Sequence, residues 1–558
     1  FLDYLIFGLY AVTILAIGLW VSRDKDGKQK NAEDYFLASK SLPWWAVGTS
    51  LIAANISAEQ FIGMSGSGFA LGLAIASYEW MAAITLLVVG KYFLPIFIEK
   101  GLYTIPEFIE KRFSTNLKTI LAIFWIALFV FVNLTTVLFL GGKALDTIIG
   151  VGDGSILLNS IIGLGLFAAA YSLWGGLASV AWTDVIQVVI LIFGGLLMTY
   201  FALSNVTDSG SFIDGMKYVY EKAPERFSMI LSKGEIIKPN GGDAWWDLPG
   251  LAVLVGGIWV ANLYYWGFNQ YIIQRTLAAK SLKESQKGIL FAAGLKLIIP
   301  LVVVIPGISA YVIVNDPEIL ASLGENGMLN MPAEGKADKA YPWLMQFLPV
   351  GLKGLAFAAL AAAIVSSLAS MLNSTSTIFT MDIYKQLIDK EADDKKTVKV
   401  GRVSAAVALI IGATMAPLLG GIDQAFQFIQ EYTGIVSPGI LAVFLLGLFW
   451  KKTTNKAAIW GALSSIPIAM FLKVGAKGWL VDRSLESIFP VLPWMDQMGL
   501  TALLTMAVII VVSITENKGA EDLKGIDLPK GIFKTTPTFN IGAFATMIIL
   551  TVIYSLLW

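Results

Sequence analysis

Apolar runs of membrane-spanning length return throughout this 558-residue chain, and they leave few folds open to it. A helix needs about 20 apolar residues to cross the hydrocarbon core of a bilayer. Runs at 2–20, 44–70, 77–98, 120–142, 156–173, 179–204, 250–272, 288–314, 352–386, 403–419, 424–449, 457–474, 498–514 and 540–558 reach or approach that length. In lipid a spanning segment must satisfy its own backbone hydrogen bonds, which a helix does within one segment. The sequence therefore predicts an all-α polytopic membrane protein with about fourteen transmembrane helices. Only 14% of the residues are charged, against roughly a quarter in soluble domains. The longest polar stretches, 205–249 and 315–351, are too short for an independent domain, so 1–558 reads as a single transmembrane unit. The run Leu2–Trp20 is long enough to stay as a span rather than act as a cleaved leader.

Charge and residue usage narrow the function. Lys plus Arg equals Asp plus Glu, 40 each, so no net charge points to nucleic acid. Cysteine and histidine are absent, which excludes disulfides, thiolate chemistry, Ser-His-Asp triads and His-ligated metals. These absences argue against a membrane enzyme, and the lack of a soluble domain argues against a sensor. Loops on one side of the predicted spans hold about twice the Lys and Arg of the other side, which by the positive-inside rule places both termini outside.

Two spans carry matching interruptions. One reads Leu42-Pro43-Trp44 and then Ala54-Asn55-Ile56; the other reads Leu248-Pro249-Gly250 and then Ala261-Asn262-Leu263. Polar residues continue after each, Ser57, Glu59 and Gln60 in one, Tyr264, Tyr265, Asn269 and Gln270 in the other. The two segments lie five spans apart and so run in opposite directions, as an inverted repeat of five helices requires. Unwound turns at matching places in two halves are a sequence pointer to a transporter's binding site, because freed carbonyls and amides must line a polar cavity. The competing reading is two polar interruptions at helix–helix contacts.

In the run 352–386, Ala363, Ser366, Ser367 and Ser370 share one helix face. Small residues admit a close helix crossing; serine hydroxyls beside a backbone break also offer the oxygen ligands that a hard cation prefers. Four ionisable residues fall within spans: Glu79, Lys91, Asp184 and Lys296. Such residues are rare there and mark function. Lys91 reads as a snorkelling side chain, Glu79 and Lys296 as cavity groups. Asp184 fits both an interfacial carboxylate and a second cation stop.

The stretch Ala53-Ala54-Asn55-Ile56-Ser57-Ala58-Glu59-Gln60-Phe61-Ile62-Gly63, with Trp266-Gly267-Phe268-Asn269-Gln270, Gln274-Arg275 and Ala363 through Ser370, resembles the sodium/solute symporter family, in its sodium/glucose cotransporter branch. The resemblance runs through nearly the whole chain. It implies a LeuT-type core of two inverted five-helix repeats, at 44–204 and 250–449, with an extra helix at 2–20 and further helices at 457–558. It implies a sodium site at the carbonyls of Ala53, Ile56 and Ala363 and the hydroxyls of Ser366 and Ser367, with Asp184 on the ion's exit path. It places sugar contacts on Asn55, Gln60, Glu79, Asn262, Lys296 and Gln430, an inner stacking gate on Tyr265, and an outer lid on Met64, Tyr78 and Phe426. The branch's galactose symporter has a serine contact three residues after its glutamate; here that position is Ala82, which leaves the choice among galactose, glucose and related sugars open.

The expectation is a sodium-coupled hexose symporter working by alternating access in a bacterial inner membrane, with sugar, sodium and membrane lipid as its partners and no nucleic acid. Sodium is the co-transported ion. Inositol, proline, pantothenate and sialic acid are the alternative solutes. A channel would need a continuous polar pore rather than two half-helix breaks under apolar lids.

Overall fold

The computed structural model describes residues 1–23, 31–102, 104–149, 152–207, 209–333, 336–420, 424–474 and 491–558. Among them the only β-pairings are two isolated bridges, Leu42 with Ala279 and Ile237 with Asp243. Eleven helices among the described residues are long and apolar enough to cross a membrane.

The expected count of about fourteen differs from eleven at three places, each with a physical cause. Leu157–Ser204 is one 48-residue helix with a non-helical Gly176 at φ 62°, ψ −154°. Straight, it would extend about 72 Å, over twice the hydrocarbon thickness. The bend falls between the predicted runs 156–173 and 179–204. Glu59–Glu99 is a 41-residue run of helical pieces, bent at Gly72 (φ 78°, ψ −156°), that joins the outer part of one predicted span to the next. The run at 250–272 is cut into Ala252–Val255, Gly257–Leu263 and Gln270–Leu277, each shorter than a crossing.

The bend at Gly176 is tightly enclosed. A Cβ there would lie 2.2 Å from the Tyr35 carbonyl oxygen, and the positive φ strains any side chain. Tyr35 Oη and Arg402 Nε both donate to the Leu173 carbonyl beside it, at 2.8 and 3.1 Å. Gly176→Ala is expected to destabilise the protein by about 1–3 kcal/mol, read as a lower melting temperature of the purified protein.

Residue size decides what sits at the centre. Leu352–Ile388 is 94% buried along its most apolar window, against 17% for Leu2–Ser22 and for Pro537–Leu556. Its run of alanines and serines lets neighbours approach closely. At Gly194, on Leu157–Ser204, even a Cβ would meet that of Ala359 at 2.7 Å. The most hydroxyl-rich helix is thus the best screened from lipid.

Candidate functional site

The first broken span starts at Pro43, which fits a helix start because it lacks an N–H to leave unbonded. Helix Trp44–Asn55 stops where Ile56 turns extended, at φ −78°, ψ 105°. The amides four residues on from Ala53 and Ile56, those of Ser57 and Gln60, donate elsewhere: to Gln60 Oε1 at 2.9 Å and to the Ser57 carbonyl at 3.2 Å. Two of the three carbonyls expected to hold sodium, those of Ala53 and Ile56, thus lose their usual helical partners, while Ala363 lies within the helix Leu352–Ile378. The serine helix Leu352–Ile378 meets this break directly. Ser367 Oγ donates to the Ala54 carbonyl at 3.1 Å, and Ser366 Oγ donates to Asp184 Oδ1 at 2.5 Å. With its hydrogen committed, each hydroxyl keeps oxygen lone pairs for a cation.

A cavity beside the break is lined by all seven residues expected to contact solute: Asn55, Gln60, Glu79, Asn262, Tyr265, Lys296 and Gln430. Lys296 is fully buried, and its ammonium donates to Glu79 Oε2 and Asn55 Oδ1 and lies 5.0 Å from the Trp266 ring centre. Asn55 Nδ2 donates to Tyr265 Oη at 3.1 Å, and Tyr271 Oη donates to the same oxygen at 2.6 Å. Glu79 and Lys296 are therefore cavity groups. Lys91 is half-buried, with its ammonium 5.3 Å from the Tyr92 ring. Two of the three lid residues, Tyr78 and Phe426, line the cavity and meet edge to face at 5.1 Å. Met64 is buried but does not line it; the adjacent Gly63 packs on Phe426.

The second break corrects the sequence reading. The interruption read at Asn262–Tyr265 is helical: Asn262 Nδ2 donates back to the Ile258 carbonyl at 3.2 Å, and a π-helical turn follows at Tyr264–Phe268. The chain breaks at Asn269, extended at φ −89°, ψ 119°. Asn262, in the α-helical piece, and Tyr265, in the π turn, both line the cavity. The inner piece Gln270–Leu277 is held by buried polar groups, with Gln270 Oε1 accepting from the Ile105 amide at 2.8 Å and Gln274 Nε2 donating to Phe36 O at 2.5 Å.

Asp184 is fully buried, so it is no interfacial carboxylate. It accepts from Ser50 Oγ and Ser366 Oγ, each at 2.5 Å, and lies 3.6 Å from Arg275 Nη2. Arg275 also donates to the Ser50 carbonyl at 3.1 Å, Ser50 Oγ at 2.8 Å, the Tyr271 carbonyl and Ser370 Oγ. In the sequence Gln274-Arg275 is part of the motif that carries the family resemblance, with no site role attached to Arg275, which lies beyond the apolar run 250–272. Its signal was its place just after a polar break, where a cation is more useful than at an interface.

Residues 35–464 match the profile of the Sodium:solute symporter family. The chain belongs to that family. It is 61% identical, over 100% of its own length and 98% of the relative's, to a sodium/glucose cotransporter of Vibrio parahaemolyticus. It is 33% identical to the human sodium/myo-inositol cotransporter 2, over 84% of this chain and 69% of that protein. The solved structure of a Na+-coupled sialic acid symporter in a substrate-bound outward-open state superposes with TM-score 0.75 at 22% identity, covering 93% of this chain and 98% of that one. That likeness carries the fold alone, the LeuT-type core expected from the sequence. Membership of the family makes sodium the co-transported ion and the chain an integral membrane transporter.

Proposed function

We propose that this symporter imports a hexose, galactose or glucose, together with sodium by alternating access. One observation carries the reading: amide, carboxylate, ammonium and phenol groups from both broken spans and from three other helices converge on one cavity next to the serine helix. A hexose presents hydroxyls on several sides, and such a set binds them from several sides. Asn55, Gln60, Glu79, Asn262, Lys296 and Gln430 bind the sugar, and Tyr265 stacks on its ring. Met64, Tyr78 and Phe426 close the outer path. Sodium bridges the carbonyls of Ala53, Ile56 and Ala363 to Ser366 and Ser367, which ties the first break to the serine helix and orders the sugar site. On release the ion passes Asp184. The repeats span 44–204 and 250–449, flanked by helices at 2–20 and 457–558, with both termini outside a bacterial inner membrane. Ala82 lines the cavity without a hydroxyl, so competition among galactose, glucose and myo-inositol decides the preferred solute.

Proteoliposomes given an inward sodium gradient are expected to accumulate labelled hexose saturably. Uptake that persists unchanged without sodium would overturn the coupling, and non-saturating flux would favour a channel. Ser367→Ala is expected to raise the half-saturating sodium concentration several-fold with sugar preference unaltered. The coupling is reciprocal, so sodium and sugar must each raise the other's affinity by the same factor.

A further inference from the structure

We propose that Glu59 is a direct solute contact, whose carboxyl group binds two adjacent hydroxyls of the transported sugar. This rests on the hexose reading above and adds a specificity-determining residue to it.

Glu59 opens the π-helical turn Glu59–Met64 just past the first break and lines the central cavity. It is only 8% exposed. Its own amide donates to Ser57 Oγ at 3.0 Å, which fixes the start of the turn and the direction of the side chain. Its Oε1 is buried with no hydrogen-bond partner. The cavity's other carboxylate, Glu79, is engaged by Lys296, and that ammonium also donates to Asn55. Glu59 is thus a cavity-lining carboxyl with one oxygen left without a hydrogen bond, beside an ammonium that is already committed.

Buried polar atoms in native proteins are almost always partnered, and within a membrane the exceptions mark function. A carboxyl group offers two oxygens in one plane. Ionised, it accepts from two neighbouring hydroxyls; protonated, it gives one hydrogen bond and takes one. A vicinal diol matches either form. The Gln60 side chain, next along the turn, is occupied at the break, where its Oε1 accepts from the Ser57 amide and hydroxyl. Glu59 therefore has the freer acceptor of the two.

The test measures uptake efficiency for the preferred hexose and its set of monodeoxy analogues, in wild type, Glu59→Gln and Glu59→Ala. Losing a hydrogen bond to a charged or strongly polar group costs on the order of 10- to 100-fold. In Glu59→Ala the parent sugar is expected to lose that factor, while the analogues lacking the two contacted hydroxyls lose little. The wild-type preference at those two positions should collapse, and preference at the others should stand. Glu59→Gln should keep part of it, since an amide still offers one acceptor and one donor. These ratios between sugars do not depend on how much protein is folded. Deoxy penalties in Glu59→Ala identical to wild type at every position would overturn the assignment, as would a change confined to sodium dependence. A wild type that carries no hexose overturns this assignment and the hexose reading together, which distinguishes the two failures.

Discussion

Lys296→Met is expected to abolish sugar uptake and to destabilise the protein by about 3–5 kcal/mol. The substitution keeps the bulk of the stem and removes only the ammonium. That ammonium is the donor to both Glu79 and Asn55, and all three side chains are buried. Without it the Glu79 carboxylate stays in a low-dielectric site with no cation, and breaking one half of a buried pair costs more than the pair itself contributes. Glu79→Gln in the Lys296→Met background removes the stranded charge. The double variant should regain most of the lost stability while uptake stays absent, giving a coupling energy of a few kcal/mol across the cycle. Thermal unfolding of the four proteins in one detergent measures it. A single variant that melts with wild type and still accumulates sugar would mean that the pair does not form in the membrane.

The second large effect is expected at Arg275. This guanidinium joins its own inner piece of the second broken span to Ser50 on the first, Asp184 on the long bent helix and Ser370 on the serine helix. Arg275→Met leaves Asp184 without its buried counter-charge, again at about 3–5 kcal/mol, and Asp184→Asn should reverse most of that loss. The location adds a sharper sign. Asp184 shares the Ser366 hydroxyl with the proposed sodium site, so an unpaired Asp184 attracts the ion. Sodium should therefore raise the melting temperature of Arg275→Met more than that of wild type, because a cation that binds the folded state stabilises it by mass action. An equal sodium effect in both proteins would separate Asp184 from the ion's path.

Much of the site was legible in the sequence because some of its signals are local. Asn55 interrupts an apolar run close to where the helix stops, and Glu79, Asp184 and Lys296 stand out as charges inside spans. The second break was misplaced for a related reason. Asn262 sits in an Ala-Asn-aliphatic setting like that of Asn55, yet its amide bonds back into its own helix. Whether such an asparagine ends a helix depends on what the following turn packs against, and here a π turn carries the chain on to Asn269. Arg275 was missed because apolar length alone ends the span before it, and only the inner helix's neighbours show that it is enclosed.

By itself the sequence determined the class of fold. Each membrane helix closes its backbone hydrogen bonds within about 20 residues, so a window of that length is enough to recognise it. It also determined which side chains were too polar to face lipid. What those side chains do was decided by tertiary structure. Lys296 finds Asn55 and Glu79 across 241 and 217 residues, and Ser366 finds Asp184 across 182. A buried charge is neutralised by whatever the packing of distant helices brings within hydrogen-bond reach, and no local window contains that information.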